Sequence, residues 1–341
     1  MKFRKLTAAV AAALLMVGGI STMMPSLSEA SASDTVINER WGKPTFVAGA
    51  GLSDAQREET MKILGISADQ VNIQTATGAD LIKYLGSGSG DDAAMLSSVV
   101  VNRENEGKGI TVDIVTPENI TLITADQYKN PLVTAGISDA TIKVGSVVKV
   151  TGESALTGVY KAFEANGEAV DSDRAQLAQE ELTTTTDVAN DITNEAVRNN
   201  SNMTDEEKQA ANKAYQTQLN QALVDIKREL ADLKNQKGDA VTVEEVETVV
   251  NNAIEKNDLS QYISQDSINR LIALAQQYLS IDGVLSAESI AQLDKISEGF
   301  QNTLKDLGNR FGDLTGALKA NEGFFAGLWQ SVKDFFSGLF N

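Results

Sequence analysis

The chain has 341 residues, 29 of them basic and 47 acidic, and its formal net charge of −18 opposes any phosphate backbone, so nucleic acid is not expected as a partner. It contains no histidine and no cysteine, which removes Ser–His and Cys–His catalysis, thiolate or imidazole zinc sites, redox cysteine pairs and disulfides. No cofactor is expected, and among metals only oxygen-liganded calcium or magnesium stays open.

At the N-terminus Lys2, Arg4 and Lys5 precede the apolar run "LTAAVAAALLMVGGI" (6–20), and "SEASAS" follows with an Ala30-Ser31-Ala32 cleavage pattern. That order is the order of a secretory signal peptide over residues 1–32. An uncleaved anchor is the alternative, but the run is short for a span. Cleavage after Ala32 removes three of the 29 basic and one of the 47 acidic residues, leaving 26 against 46 and a net charge of −20. The expected location is secreted, extracellular or associated with the cell envelope.

Residues 34–166 mix strand and helix signals. "VNIQT" (71–75), "SSVVVNREN" (97–105), "ITVDIVT" (110–116) and "ATIKVGSVVKV" (140–150) read as strands. They predict an α+β or α/β domain with a mixed sheet of about four strands. "NEGKG" (105–109) is expected to close a hairpin between the second and third. Ser53-x-x-Gln56, Thr77-x-x-Asp80 and Thr124-x-x-Gln127 mark helix starts as capping boxes, and Pro131 is expected to end or kink the third helix. Segments 61–85 and 132–163 share the order helix, Gly-Ile-Ser, strand, Thr-Gly, helix. This suggests two helix–strand–helix units around a central hairpin, against a chance likeness of short signals; two copies are too few for a solenoid.

"GEAVDSD" (167–173) reads as a polar linker, and a helical region over 174–320 follows. Thr204-x-x-Glu207 and Thr242-x-x-Glu245 are further capping boxes. Leu219, Leu223, Ile226, Leu230 and Leu233 recur at spacings of 4 and 3, and Leu293, Ile296, Phe300, Leu304, Leu307, Phe311, Leu314 and Leu318 continue the habit. Such seams belong to an all-α bundle or, through self-association, to a coiled coil. The last segment, 321–341, holds six of the chain's 18 aromatic residues. Phe324, Phe325, Leu328, Trp329, Val332, Phe335, Phe336, Leu339 and Phe340 fall on one face of an amphipathic helix. It is too often interrupted by polar residues to span a bilayer, and it suits either docking on the protein or a partner, or peripheral membrane contact.

Candidates for chemistry are few. Gly152-Glu153-Ser154-Ala155-Leu156 lacks the second glycine of a nucleophile elbow. Ser154 has no histidine base, and Lys143, Lys149 and Lys161 have nothing to mark them as bases, so a cap or turn role is expected. "GSGSGDD" (86–92) lacks the third glycine of a dinucleotide fingerprint and the lysine of a P-loop, and reads as a flexible loop. In "SIDGVLSAES" (280–289) only Asp282 fits a calcium loop. Thr77, Gly78, Thr151, Gly152 and Ser154 lie where a strand gives way to a helix, an arrangement that offers backbone N–H groups to an anion. Asp80 and Glu153 already complement those helix ends.

Three stretches, "GITVDIVTPENIT" (109–121), "YKNPLVTAGISDATIKV" (128–144) and "VTGESALTGVYKAF" (150–163), resemble the YpuA-like family of secreted Gram-positive proteins, a domain of unknown function. The resemblance covers about the first half of the chain and brings no catalytic residues with it. The expected function is a non-enzymatic, envelope-associated binding or structural module with an unknown extracellular partner. The alternatives are a hydrolase drawing on Asp80, Asp91, Asp92, Asp113 and Glu153, alone or with an oxygen-bound metal, and a membrane-active protein working through its tail.

Overall fold

Helix starts are the most local feature of the chain, and the computed structural model places them where hydroxyl and carboxyl or amide side chains are three residues apart. It describes residues 41–86, 88–198, 203–313, 327–328 and 330. The elements run β1 (Thr45–Gly49), α1 (Asp54–Ile63), β2 (Asn72–Ala76), α2 (Gly78–Leu85), β3 (Ser98–Arg103), β4 (Ile110–Ile114), α3 (Ala125–Thr134), β5 (Ala140–Gly145) and α4 (Ala155–Ala165). The helices α5 (Ser172–Arg198), α6 (Asp205–Lys237), α7 (Val243–Lys256), α8 (Gln265–Ser280) and α9 (Ala287–Asp313) follow. At α1, α2, α6 and α7 the capping residue accepts from the third backbone N–H, as when Glu207 donates to Thr204 Oγ1 at 3.2 Å. α3 runs through Pro131 to Thr134, so the proline does not end it.

The sheet has five strands in the order β2-β1-β3-β5-β4. β1, "TFVAG", is buried along its whole length and carries no polar–apolar alternation, which is why its sequence does not announce it. β1 pairs parallel with β2, β4 pairs parallel with β5, and β3 lies between them, antiparallel to β1 and β5. The expected hairpin of β3 with β4 is therefore not formed. β5 lies between those two strands, and the 104–109 loop arches over its first residues. Asp139, immediately before β5, holds both ends of the arch: its carbonyl accepts from Glu104 N–H at 2.7 Å and its carboxylate from Gly109 N–H at 2.7 Å. Burial pushes the Asp139 carboxyl up, but the hydrogen bonds from Gly109, Gln292 and Gly107 and the nearby Lys295 bring it below its ordinary value.

Alternation along the strands divides the two faces. Val47, Val99, Val101, Ile142 and Val144 point to one face, over which α3 and α4 pack with Tyr128, Leu132, Val159 and Tyr160. Phe46, Ala48 and Val100 point to the other, covered by Leu64 at the end of α1 and by Val71. The two crossovers, β1 to β2 and β4 to β5, step in the same direction along the sheet, yet α1 and α3 lie on opposite faces. They are thus of opposite hand, and one departs from the right-handed rule. No repeat symmetry relates the two helix–strand–helix stretches, although both occur.

The linker does not separate two cores. Glu168 is tied to the sheet half, accepting from Trp41 Nε1 at 2.7 Å and from Arg103 Nε at 3.1 Å. The core over the sheet continues into Ala175, Ala178 and Leu182 of α5 and into Leu293, Ile296 and Phe300 of α9. A second core is made by the helices alone, with Leu219, Leu223, Ile226 and Leu230 of the α6 seam packed among α5, α7 and α8. The described residues from Trp41 onward make one compact unit. Of the apolar tail only Leu328 is described; it is 5% exposed and belongs to that second core. Phe324, Phe325, Trp329, Val332, Phe335, Phe336, Leu339 and Phe340 lie outside the described residues, as do Leu314, Leu318 and the leader segment. Among the described residues no helix is long and apolar enough to cross a membrane.

Candidate binding cleft

The Thr-Gly turns that the sequence singles out are filled by the protein's own groups. At the start of α2, Thr77 N–H donates to Asp80 Oδ2 at 2.9 Å, Gly78 N–H to Asp92 Oδ1 at 2.8 Å, and Asp80 N–H to Thr77 Oγ1 at 3.2 Å. A Cβ on Gly78 would lie 2.2 Å from the carbonyl oxygen of Gly90, so the 88–92 loop is seated on this helix end. Burial pushes the Asp80 carboxyl up, but the Lys161 ammonium at 2.8 Å and the Thr77 amide and hydroxyl hold it below its ordinary value of 3.8. Ser154 stands at the N-cap position of α4, in a turn and with helical backbone angles, and makes no capping hydrogen bond, so of the expected cap or turn roles the turn is the one formed.

Asp91 caps a short turn through Ala93 N–H at 2.9 Å, and Glu153 accepts from Thr151 Oγ1 at 3.2 Å. Asp113 stands apart on β4. The five carboxylates thus fall into three places, at the α2 start, at the α4 start and on the sheet edge, and do not converge. Among the described residues no group of three or more acidic side chains is placed to hold a metal ion.

Thr151 and Gly152 instead support a wall. The Thr151 carbonyl accepts from Ile123 N–H at 3.1 Å, and Val150 bridges to Ile120 as a single parallel pair. Gly152 has a φ of +105°, and a Cβ there would meet Ile120 Cγ2 and Tyr128 Oη, each at 2.7 Å. The Tyr128 hydroxyl donates to the Gly152 carbonyl at 2.6 Å. These contacts fix residues 114–126 as the rigid side of a cleft of about 770 Å3, a size within the range of small-ligand sites.

The floor on that side is apolar: Ile114, Pro117, Ile120, Leu122 and Ile123. The facing wall is polar. Lys208, Gln209, Asn212, Lys213 and Gln216 recur at helical spacing along one face of α6, joined by Thr193 of α5. Asn212 Nδ2 donates to Thr193 Oγ1 at 3.1 Å and to Asn190 Oδ1 at 3.2 Å, which orients its amide. Gln216 is 4% exposed, and its Oε1 has no hydrogen-bond partner among the described residues. Of the acids at the cleft, Asp126 is neutralised by Lys129 at 2.6 Å and accepts from Thr303 Oγ1 at 2.9 Å, while Asp113 is exposed. Lys208 makes only a loose pair with Asp205 at 3.5 Å.

From Gln216 the polar face of α6 runs inward. Asn130 Nδ2 of α3 donates to the Asn220 carbonyl at 2.9 Å, and Gln221 Oε1 accepts from Ser297 Oγ at 2.8 Å. The stripe ends at Lys227, 1% exposed, whose Nζ lies 2.8 Å from Glu181 Oε1 and 2.8 Å from Thr134 Oγ1, over the ring of Tyr278 at 4.7 Å. Burial pushes Lys227 down and the Glu181 charge pulls it back; burial, then Glu181, push Tyr278 up. No sequence signal marks this group, because its four members, Thr134, Glu181, Lys227 and Tyr278, come from four helices, α3, α5, α6 and α8.

A mixed five-stranded sheet roofed by helices, with a cleft between the β4–α3 stretch and α6, defines an α+β protein with a concave site at the junction of its sheet and helical parts. The family model described as "Protein of unknown function (DUF1002)" matches residues 48–296, and the chain belongs to that family. It is 31% identical over 191 residues to the uncharacterised protein YpuA of Bacillus subtilis (strain 168), an alignment over 55% of this chain. That alignment spans about 60% of the relative's own length. The resemblance read from residues 109–121, 128–144 and 150–163 is thus borne out. No solved structure matches the chain.

Proposed function

We propose that this protein is a non-enzymatic binding module that works outside the cell membrane and receives its ligand in the cleft between residues 114–126 and α6. The observation that carries the reading is the pairing of an apolar floor with a wall of amides, hydroxyls and ammonium groups, among them a buried Gln216 oxygen with no partner among the described residues. Apolar lining with a few convergent polar groups is the ordinary make-up of a ligand site. The basic, apolar and small-residue order of residues 1–32 supports export, with the mature chain starting at Ser33. Leu328, buried among the helices, favours a tail that docks on its own chain over one that enters lipid.

Thermal melting of the full chain against short peptides, oligosaccharides and fatty acids tests the cleft, because a ligand that binds only the native state raises the melting temperature. At least one class is expected to raise it, and Asn212→Ala with Gln216→Ala is expected to abolish the rise. A rise that survives both substitutions, or none from any class, overturns the reading. N-terminal sequencing of protein recovered outside the cell tests export, and finding Met1 there overturns that part.

A further inference from the structure

We propose that the ligand of this cleft is an extended peptide with a carboxylate, held with its main chain along α6 and its apolar side chains on the Ile114–Ile123 floor; this rests on the cleft being the binding site. The two walls demand different things of a ligand. Of the apolar side chains on one side, Ile120 and Ile123 are already packed from behind, while Ile114, Pro117 and Leu122 are still open to water and gain only if apolar surface covers them. On the other side Gln209 and Gln216 are amides that carry donors and acceptors, and Asn212, whose Nδ2 is taken by Thr193 and Asn190, turns its carbonyl acceptor to the cleft, which matches the alternating N–H and C=O groups of a peptide main chain. An oligosaccharide would place hydroxyls against the floor, and a nucleobase seeks an aromatic platform. Among the described residues no aromatic ring lines the cleft.

Charge sets which end of the peptide goes where. The chain as a whole is strongly acidic, yet the α6 wall offers two ammonium groups, Lys208 and Lys213, five residues apart, and Lys213 has no ion pair among the described residues. A carboxylate is favoured at that wall by charge-assisted hydrogen bonding. Asp113 on the opposite side repels the same carboxylate and so disfavours the reversed orientation. Gln216, lying three residues beyond Lys213 along the cleft and nine-tenths buried, leaves an acceptor for the first main-chain N–H behind the carboxylate.

Because the chain has no cysteine, Glu118→Cys in the full-length protein gives a single attachment point for an environment-sensitive dye at an exposed position beside Pro117 on the rim of the cleft. The probes are the pentapeptide Ala-Ile-Ala-Val-Asp with a free C-terminus, its C-terminal amide, the same peptide ending in Lys-amide, and maltopentaose. The free acid is expected to change the dye signal saturably, the amide with its side-chain carboxylate to bind more weakly, and the Lys peptide to bind least. Lys208→Glu with Lys213→Glu, both at accessible positions, is expected to weaken the free acid roughly tenfold or more, while Lys208→Arg with Lys213→Arg retains binding. Equal binding of the acid and Lys peptides, or no effect of the charge reversal, overturns the proposal. Occupancy by maltopentaose alone overturns the peptide class and keeps the cleft; if no probe changes the dye signal and none raises the melting temperature, both fall.

Discussion

Lys227 and Glu181 place an ammonium and a carboxylate in a region from which water is excluded, at 1% and 0% side-chain exposure. Their mutual attraction, the Thr134 hydroxyl and the Tyr278 ring offset the loss of hydration only while both partners are present. Lys227→Met alone is therefore expected to cost about 3–5 kcal/mol, and adding Glu181→Leu to return most of that loss. Urea unfolding of the three proteins decides it: a double variant as unstable as the single one would show that the pair does more than compensate itself. Asp80 carries the acid sensitivity of the α2 start. Its folded value lies below 3.8, because Lys161 and Thr77 outweigh the upward push of burial. Its contribution is present above the unfolded value of about 3.9 and is lost as pH falls through the folded one. In Lys161→Met burial stays and its main opponent goes, so the Asp80 carboxyl rises and stability begins to fall at a higher pH. Circular dichroism during acid titration should show the unfolding midpoint moved upward, and an unmoved midpoint would mean that Lys161 does not stabilise the Asp80 carboxylate.

Helix starts and strand neighbours differ in how far along the chain their causes lie. A capping box is contained in four residues, so Ser53, Thr77, Thr204 and Thr242 could be read as helix starts directly, and each accepts the expected bond. Ser154 looks similar in composition but lacks a carboxyl or amide partner three residues on, and its backbone is already helical. Thr242→Ala should cost about 1 kcal/mol, whereas Ser154→Ala should stay within about 0.5 kcal/mol. Chemical denaturation of both variants tests the contrast, and an equal loss would mean that Ser154 caps α4 in solution. The α6 seam was legible for the same local reason, since Leu219, Leu223, Ile226 and Leu230 repeat at helical spacing and are all buried. Sheet order was not. Whether β3 meets β4 or β5 depends on Asp139, which is 30 residues from the Gly109 it binds and carries no pattern of its own. The cleft was hidden for a stronger reason: its floor at 114–123 and its wall at 208–216 come together only when α3 packs on α6. Thr151 and Gly152 were visible as a turn with a special backbone, but their role as the support of Ile120 and Ile123 needed the fold.

At the scale of the whole molecule the question is whether the sheet half stands alone. Its composition changes at residue 167, and the polar stretch 167–173 looks like a place to cut. The packing argues otherwise. The face of the sheet lined by Val99, Val101, Ile142 and Val144 is covered by α3 and α4, but those helices are themselves covered by Ala178 and Leu182 of α5 and by Ile296 and Phe300 of α9. Arg174 of α5 closes the end of α3, donating to the Thr134 carbonyl at 2.7 Å and to the Val133 carbonyl at 3.0 Å. Gln127 donates to Thr186 and Thr134 to Glu181, so the outer side of α3 is polar and made for partners on α5. A fragment of 33–167 would expose that mixed surface and leave Tyr128, Leu132 and Tyr160 covered on fewer sides. Losing the cover of a few large apolar groups, at roughly 1.5–3 kcal/mol each when fully exposed, is comparable with the 5–15 kcal/mol that stabilises a whole domain. The fragment is therefore expected to lack a cooperative thermal transition, and the full chain to unfold with α3 and α5 losing hydrogen-exchange protection together. A fragment that melts cooperatively with mixed α/β circular dichroism would show that α3 and α4 suffice to close the core, and that the helical half is an addition to an already stable domain.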